Sequence, residues 1–344
     1  MNKAYRVLNQ GVRWRVFEKE GIENNFGKIQ DLHPFDLESS NIEDGVIFWK
    51  LSTEDTTSEE LEACLNFESR VNNNHHINPP SGWLNCHAKE ACFKIWEDNG
   101  ISCPNHFEFE DLDDLRQKIN NNYPHLIRLN NLSGGDGSYL VKNKEELESC
   151  FLELERDFNN NKDKNRGTKK ICVEFIDTKD ARGRNSSYRI IVAGEKVITG
   201  YARVNQGDHW NVTTSTFSHD FNKFSKDFIR YNELCHEIMS TYEKDIVEAI
   251  KLTNNHHVGL DIIRDPFGKI YFIEVQPGYQ TGYSDSPGPF YHPSKKDMVQ
   301  YLLDNKESLE RKLPLYYNDW LDKEIHFDKA FKELKRCLGL TLKE

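Results

Sequence analysis

The sequence predicts a mixed α and β chain, with an α/β N-terminal region followed by hairpins and helices in further subdomains. Three observations predict it. Strand-like and helix-like segments alternate up to the break at Asn78-Pro79-Pro80-Ser81-Gly82. Two later stretches read as hairpins, Ser187–Arg203 around Gly194-Glu195 and Gly259–Gln276 around Asp265-Pro266-Phe267-Gly268. A length of 344 residues suits two or three subdomains rather than one core.

Taken in order, Tyr5–Leu8 and Gly45–Lys50 are expected strands, and Thr53–Leu65 an acidic-headed helix. Asn72-Asn73-Asn74-His75-His76 reads as a solvated polar loop, because adjacent histidines point apart. Leu84–Asn99 is an expected helix with Ala88, Ala91, Cys92, Ile95 and Trp96 as its apolar stripe, ended by Gly100. A strand at Phe107–Phe109, a helix at Asp111–Asn120 and a strand at His125–Leu129 follow. Lys144–Arg156 is an amphipathic helix and Ile171–Ile176 a buried strand ending at Asp177. Phe228–Asn254, Asp297–Lys306 and Trp320–Cys337 read as helices. The expected divisions are 1–84, 85–177, 178–305 and a helical tail at 306–344.

A net charge of -11 argues against nucleic acid or an anionic membrane as a partner. Any phosphate must then be held by local cations and metal. Eight cysteines are scattered without a CxxC pair, so a zinc ribbon or thiol–disulfide site is not expected. The N-terminal MNKAYRVLNQ has no apolar signal region, and a reducing cytoplasm is the expected setting.

Two stretches carry chemistry. In the second hairpin, pairing Arg264 with Lys269 would set Asp261 opposite Phe272 and diagonal to Glu274, with backbones about 7–8 Å apart. Asp261, Glu274 and Gln276 would then converge on small cations, Mg²⁺ or Mn²⁺, together with nucleotide phosphates. A surface hairpin with solvated acids fits the same residues. The second stretch, Asn130–Ser138, joins two strands with Gly134, Gly135 and Gly137. It opens no helix, so it is neither a Walker loop nor a dinucleotide fingerprint. Folded over phosphates it would act as a flap, although a plain hairpin loop is equally compatible.

The order of these parts resembles the ATP-grasp superfamily over roughly residues 84–290. It is most similar to carboxylate–amine ligases of the ribosomal-protein glutamate ligase, glutathione synthetase and D-alanine–D-alanine ligase type. The resemblance implies an α/β N-terminal domain plus an α+β ATP-grasp fold whose two subdomains clamp a nucleotide. It places Lys89, eleven residues before Gly100, and Arg128 on the nucleotide, with Arg128 where the family usually has lysine. It makes Ser133, Gly134, Gly135, Gly137 and Ser138 the phosphate flap, Glu174, Phe175 and Ile176 the adenine-side hinge, and Asp177 a ribose neighbour. Arg203, Arg189 and Asn211 become catalytic residues, and Asp261, Glu274 and Gln276 the metal ligands. Gln276 stands where asparagine is usual and carries its amide one methylene further out.

With a two-residue Gly194-Glu195 turn, Arg189 and Arg203 fall on opposite faces of their hairpin. A bulge, with Gly200 as its candidate, or a strong twist would be needed to unite them. The implied activity is an ADP-forming, Mg²⁺- and ATP-dependent ligase acting on a small-molecule carboxylate and an amine, or on a peptide terminus. A phosphotransferase on the same architecture and a non-catalytic nucleotide-binding regulator are the competing readings. Pro277–Tyr283 should line the acceptor end, with His292, Lys295 and Lys296 beyond it.

Overall fold

The computed structural model describes residues 3–9, 16–37, 42–52, 56–71, 73–132, 135–161, 167–206, 210–212, 221–278, 300–313 and 323–340. The expected features at Ser133, Gly134, Tyr279–Tyr283, His292, Lys295, Lys296 and residues 297–299 lie outside them.

Strands β1 (Lys3–Val7), β2 (Ile29–Leu32), β3 (Gly45–Phe48) and β4 (His75–Ile77) form a parallel sheet in the order β2-β1-β3-β4. Helix α1 (Val16–Phe26) connects β1 to β2, and α2 (Ser58–Arg70) connects β3 to β4. Helix α2 starts later than expected because Thr57 and Glu60 make a reciprocal capping box. The histidine pair is strand rather than loop. Trp49 donates its indole N–H to His76 Nδ1 at 3.0 Å and stacks on the ring, a partner 27 residues away that the local sequence cannot announce.

After the short helix α3 (Pro80–Leu84), α4 (Lys89–Asp98) opens the second unit. The expected single helix from Leu84 is broken at Ala88, whose backbone is extended. Strands β5 (His106–Glu108), β6 (His125–Leu129), β7 (Ser138–Val141) and β8 (Lys170–Glu174) form an antiparallel sheet, β5-β8-β6-β7. Helices α5 (Leu112–Ile119) and α6 (Lys144–Asn161) accompany it, and Leu115, Ile127, Leu147 and Leu154 lie in their shared core.

The third sheet is β10-β9-β11-β12, antiparallel throughout: β9 (Arg184–Ala193), β10 (Lys196–Gln206), β11 (His257–Arg264) and β12 (Ile270–Gln276). The expected helix Phe228–Asn254 is two helices, α7 (Phe221–Thr241) and α8 (Glu243–Leu252). One sheet face, with Tyr188, Ile190, Val192, Leu260 and Ile262, packs against Phe228, Tyr231, Ile246 and Ile250 of those helices. Helix α9 (Lys306–Lys312) adds Leu309 to that core. The opposite face carries Ile191, Ala193 and Ile198 into a second cluster, with Phe327, Phe331 and Leu334 of α10 (Lys323–Cys337) and Ile22 and Phe26 of α1.

Two register shifts depart from the expected hairpins. In β11–β12, Arg264 pairs with Ile270, not Lys269, and a bulge between Asp261 and Ile262 leaves Ile273 unpaired. Asp261 therefore stands directly opposite Glu274 instead of diagonal to it. In β9–β10 the bulge is at Ile198, two residues before the Gly200 candidate. Val197 pairs with Val192 and Thr199 with Ile191, so Tyr201 faces Arg189 and Arg203 faces Ser187. Side chains alternate along a strand, so one inserted residue moves Arg203 to the face of Arg189.

Candidate active site

The register gives one row across the third sheet, Tyr201–Arg189–Asp261–Glu274, each residue the cross-strand partner of the next. Arg189 forks onto Asp261, Nε to Oδ1 and a terminal nitrogen to Oδ2, both at 2.7 Å. Arg203 reaches the same Oδ2 at 2.9 Å, and its own Nε is buried without a partner among the described residues. Burial pushes the Asp261 carboxyl up, but Arg189 and Arg203 outweigh it and hold the group well below the usual carboxylate range. Burial likewise pushes the Arg189 guanidinium down, and Asp261 reverses it, so its proton is held more firmly than usual.

Glu274 receives the other subdomain. Lys89, in the first turn of α4, donates from Nζ to Glu274 Oε1 at 3.1 Å and to the Leu132 carbonyl at 3.0 Å. Its backbone N–H bonds the Asn130 carbonyl at 3.1 Å, so one residue ties the root of the glycine loop to β12. Burial lowers the Lys89 pKa, only partly offset by Glu274. Arg128, on β6, is close enough to feel the same carboxylate. Lys89, Arg128, Arg189 and Arg203 face the two carboxylates Asp261 and Glu274, which leaves positive charge in excess within a chain of net charge -11. The helix N-terminus beneath Lys89 adds to that excess. Such a site suits a polyanion.

Asn211 lies against the glycine loop: a Cβ placed on Gly135 would meet Asn211 Nδ2 at 1.7 Å. Gly135 holds φ +89° and Gly137 φ +57°, the left-handed region that glycine adopts without strain. Ser138 starts β7 opposite Arg128. The expected hinge residues lie at the end of β8. Glu174 ends β8 with its carboxylate accepting from Asn105 Nδ2 at 2.7 Å, Phe175 and Ile176 follow outside the strand, and the Asp177 carboxylate accepts the Lys179 N–H. Gln276 ends β12, paired with Gly259.

Asp261 and Glu274 fit a hard divalent cation. Their oxygens share one face of adjacent strands, and Mg²⁺ and Mn²⁺ take one or two carboxylates together with phosphate oxygens. A closed protein cage is not required, and no group of three His, Cys, Asp or Glu side chains among the described residues forms one. Sequence reasoning missed Tyr201, the Lys89–Leu132 tie and the Ile198 bulge. The first and last follow from the actual register of the β9–β10 hairpin, and the second from a helix meeting a loop 43 residues further along the chain. No helix among the described residues is long and apolar enough to cross a membrane.

Two α+β units, with a glycine loop on one and a carboxylate row on the other, belong to the ATP-grasp fold, and the chain has it. Within that fold, residues 86–218 match the family model of the RimK-like ATP-grasp domain. Solved structures of the same fold include ATP-grasp ligase PsnB with a minimal precursor, at 11% identity over 87% of this chain and 99% of that chain, TM-score 0.53. The ADP complex of purK, N5-carboxyaminoimidazole ribonucleotide synthetase, is 10% identical over 86% of this chain and 76% of that chain, TM-score 0.56. The D-alanine–D-alanine ligase of Bacillus anthracis is 15% identical over 90% of this chain and all of that one (100%), TM-score 0.51. No curated protein matches the chain significantly.

Proposed function

We propose that this protein is a metal- and ATP-dependent ligase that joins a carboxylate to an amine through an acyl phosphate, releasing ADP and phosphate. The observation that carries the reading is the cross-strand row Arg189–Asp261–Glu274 met from the other subdomain by Lys89. With Arg203 and Arg128 beside it, it sets two carboxylates and four cations where a triphosphate needs both metal and positive charge. The RimK-like match over residues 86–218 supports the same reading.

The chain's own groups do the positioning. Lys89 and Arg128 neutralise phosphate oxygens from the central sheet, and Arg203 and Arg189 face the transferring phosphoryl group from the other side. Mg²⁺ or Mn²⁺ would be held by Asp261 and Glu274, with Gln276 the next residue on that face of the strand, and would supply Lewis-acid charge to offset that of the phosphates. The described part of the glycine loop, Gly135–Ser138, would lie over the phosphates, Gly135 and Gly137 supplying backbone N–H groups without side-chain obstruction. Closure keeps water from the acyl phosphate. Glu174, Phe175 and Ile176 would read the adenine edge, and Asp177 the ribose. Asn211 steadies the loop it touches. The substrates are a small carboxylate and an amine, or a peptide terminus.

Product analysis tests this. The protein is incubated with MgATP and a fractionated small-molecule and peptide extract, and ADP, AMP, phosphate and new amides are quantified. ADP, phosphate and an amide in equal amounts are expected. ADP with a phosphorylated acceptor and no amide, or AMP, would overturn the ligase reading.

A further inference from the structure

Helix α10 lies outside the residues matched to the RimK-like domain and far along the chain from every site residue. Its apolar side nevertheless covers the strands that carry the arginines. Phe327, Ala330, Phe331 and Leu334 share one cluster with Ile191 and Ala193 of β9 and with Ile198 of β10. Ile198 is the extra residue of the β9–β10 bulge, and it is buried.

That bulge decides the site. Without it, the Gly194-Glu195 turn would send Arg203 to the opposite face, into the core of Tyr188, Ile190 and Phe228. With it, Arg203 reaches Asp261 at 2.9 Å. The hairpin turn is fastened to the same helix. Arg336 bonds Glu195 at 3.0 Å, Glu333 pairs with Lys196 at 3.6 Å, and Gly194 approaches so closely that a Cβ there would lie 2.6 Å from Cys337 Sγ. On its other side α10 is anchored to α1. Asn25 donates to Asp328 at 3.2 Å, Lys335 donates to the Asn25 carbonyl at 2.6 Å, and a Cβ at Gly21 would sit 2.7 Å from the Phe331 ring.

We propose that α10 is a positioning element of the active site: by burying Ile198 between itself and the sheet, it holds the register that turns Arg203 onto Asp261. The inference rests on the reading of Asp261 as a metal ligand. Its physical basis is that an inserted residue leaves the ladder locally unpaired, and a bulge persists only where packing favours it over the regular register. Here that packing comes from α10 and α1 rather than from the hairpin itself. The helix touches no reacting atom and acts through Arg203.

The test uses the full chain and Mn²⁺ as probe, with affinity read by calorimetry in the absence of nucleotide. Arg203 shares Oδ2 of Asp261 with Arg189, so withdrawing it leaves that oxygen with one cation instead of two and a lone pair free for a metal. Phe331→Ala, the milder Ile198→Ala and the direct Arg203→Gln are each expected to raise Mn²⁺ affinity about tenfold, the equivalent of one charge-assisted hydrogen bond. Metal-free ADP affinity should stay unchanged, because Lys89 and Arg128 lie on other elements. In the Arg203→Gln background Phe331→Ala should add nothing, which a merely stabilising helix would not produce. Unchanged Mn²⁺ affinity in both single variants, or effects that add independently, would overturn the proposal. If no variant responds and Mn²⁺ fails to bind even with ADP, the metal reading itself is wrong. Amide hydrogen exchange then decides the register: faster exchange across residues 199–206 in Ile198→Ala supports it, and unaltered exchange refutes it.

Discussion

Arg189 and Asp261 face each other across the β9–β11 ladder and share two hydrogen bonds of 2.7 Å. With Arg203 on the same carboxylate and Lys89 on Glu274, each acid of the row is engaged by a cation of the protein. Wild-type protein should therefore bind Mn²⁺ weakly alone and strongly with ADP, whose phosphates offer Lys89 and Arg128 new partners in place of Glu274. Calorimetry with and without ADP checks it. Equal affinity in the two titrations would rule out the exchange.

Glu274 links the two subdomains and is one of the two proposed metal ligands. Glu274→Gln keeps its shape and removes its charge. Turnover is expected to fall about 10²–10³-fold, the usual effect of losing one preorganised electrostatic contact to a transition state. Steady-state ADP formation measures it, and near-wild-type turnover would remove Glu274 from the site.

At Gly135, alanine meets two obstacles. The φ of +89° is strained for any side chain, and the added carbon would lie 1.7 Å from Asn211 Nδ2. Gly135→Ala should lower kcat through faulty loop closure at a stability cost of only about 1–2 kcal/mol. Pre-steady-state kinetics paired with thermal melts would show that split. A kcat equal to wild type would mean the loop does not gate the reaction.

His256 and His257 give the protein an acid weakness away from the chemistry. Burial pushes both down to about 4. Their ordinary value is 6.5, so in this window the unfolded chain binds protons that the folded chain refuses, and stability falls as pH drops. The loss is complete near pH 4, absent above neutrality, and at most about 3 kcal/mol per histidine. His257→Phe retains a ring against Phe327 and Phe331 and should remove about half of the slope between urea midpoints at roughly pH 5 and pH 7.5. An unchanged slope would contradict the assignment.

Much of this architecture is local and therefore legible in the sequence. The strand His125–Leu129, the glycine loop after it, the hairpin turn at Gly194-Glu195 and the alternation that puts Glu274 and Gln276 on one face are written within a few residues. Turn chemistry and side-chain period act at that range. Lys89, Asp261 and Arg203 could be singled out for the same reason, each standing at a recognisable place in an ordered set of motifs.

The meeting of those residues is a different matter. Asp261 opposite Glu274 requires the bulge at Ile273, and Arg203 beside Arg189 requires the one at Ile198. A bulge has no period and no fixed residue type. Whether it forms depends on what packs against the inserted side chain, and for Ile198 that is a helix more than 120 residues further along the chain. His75-His76 reads as a loop from its neighbours alone, whereas pairing with β3 and the bond from Trp49 make it a strand. The sequence by itself determined the parts, their order and the chemical types they carry. The tertiary structure decided which face each charge occupies, because a one-residue change of register reverses every side chain beyond it, and only distant packing selects the register.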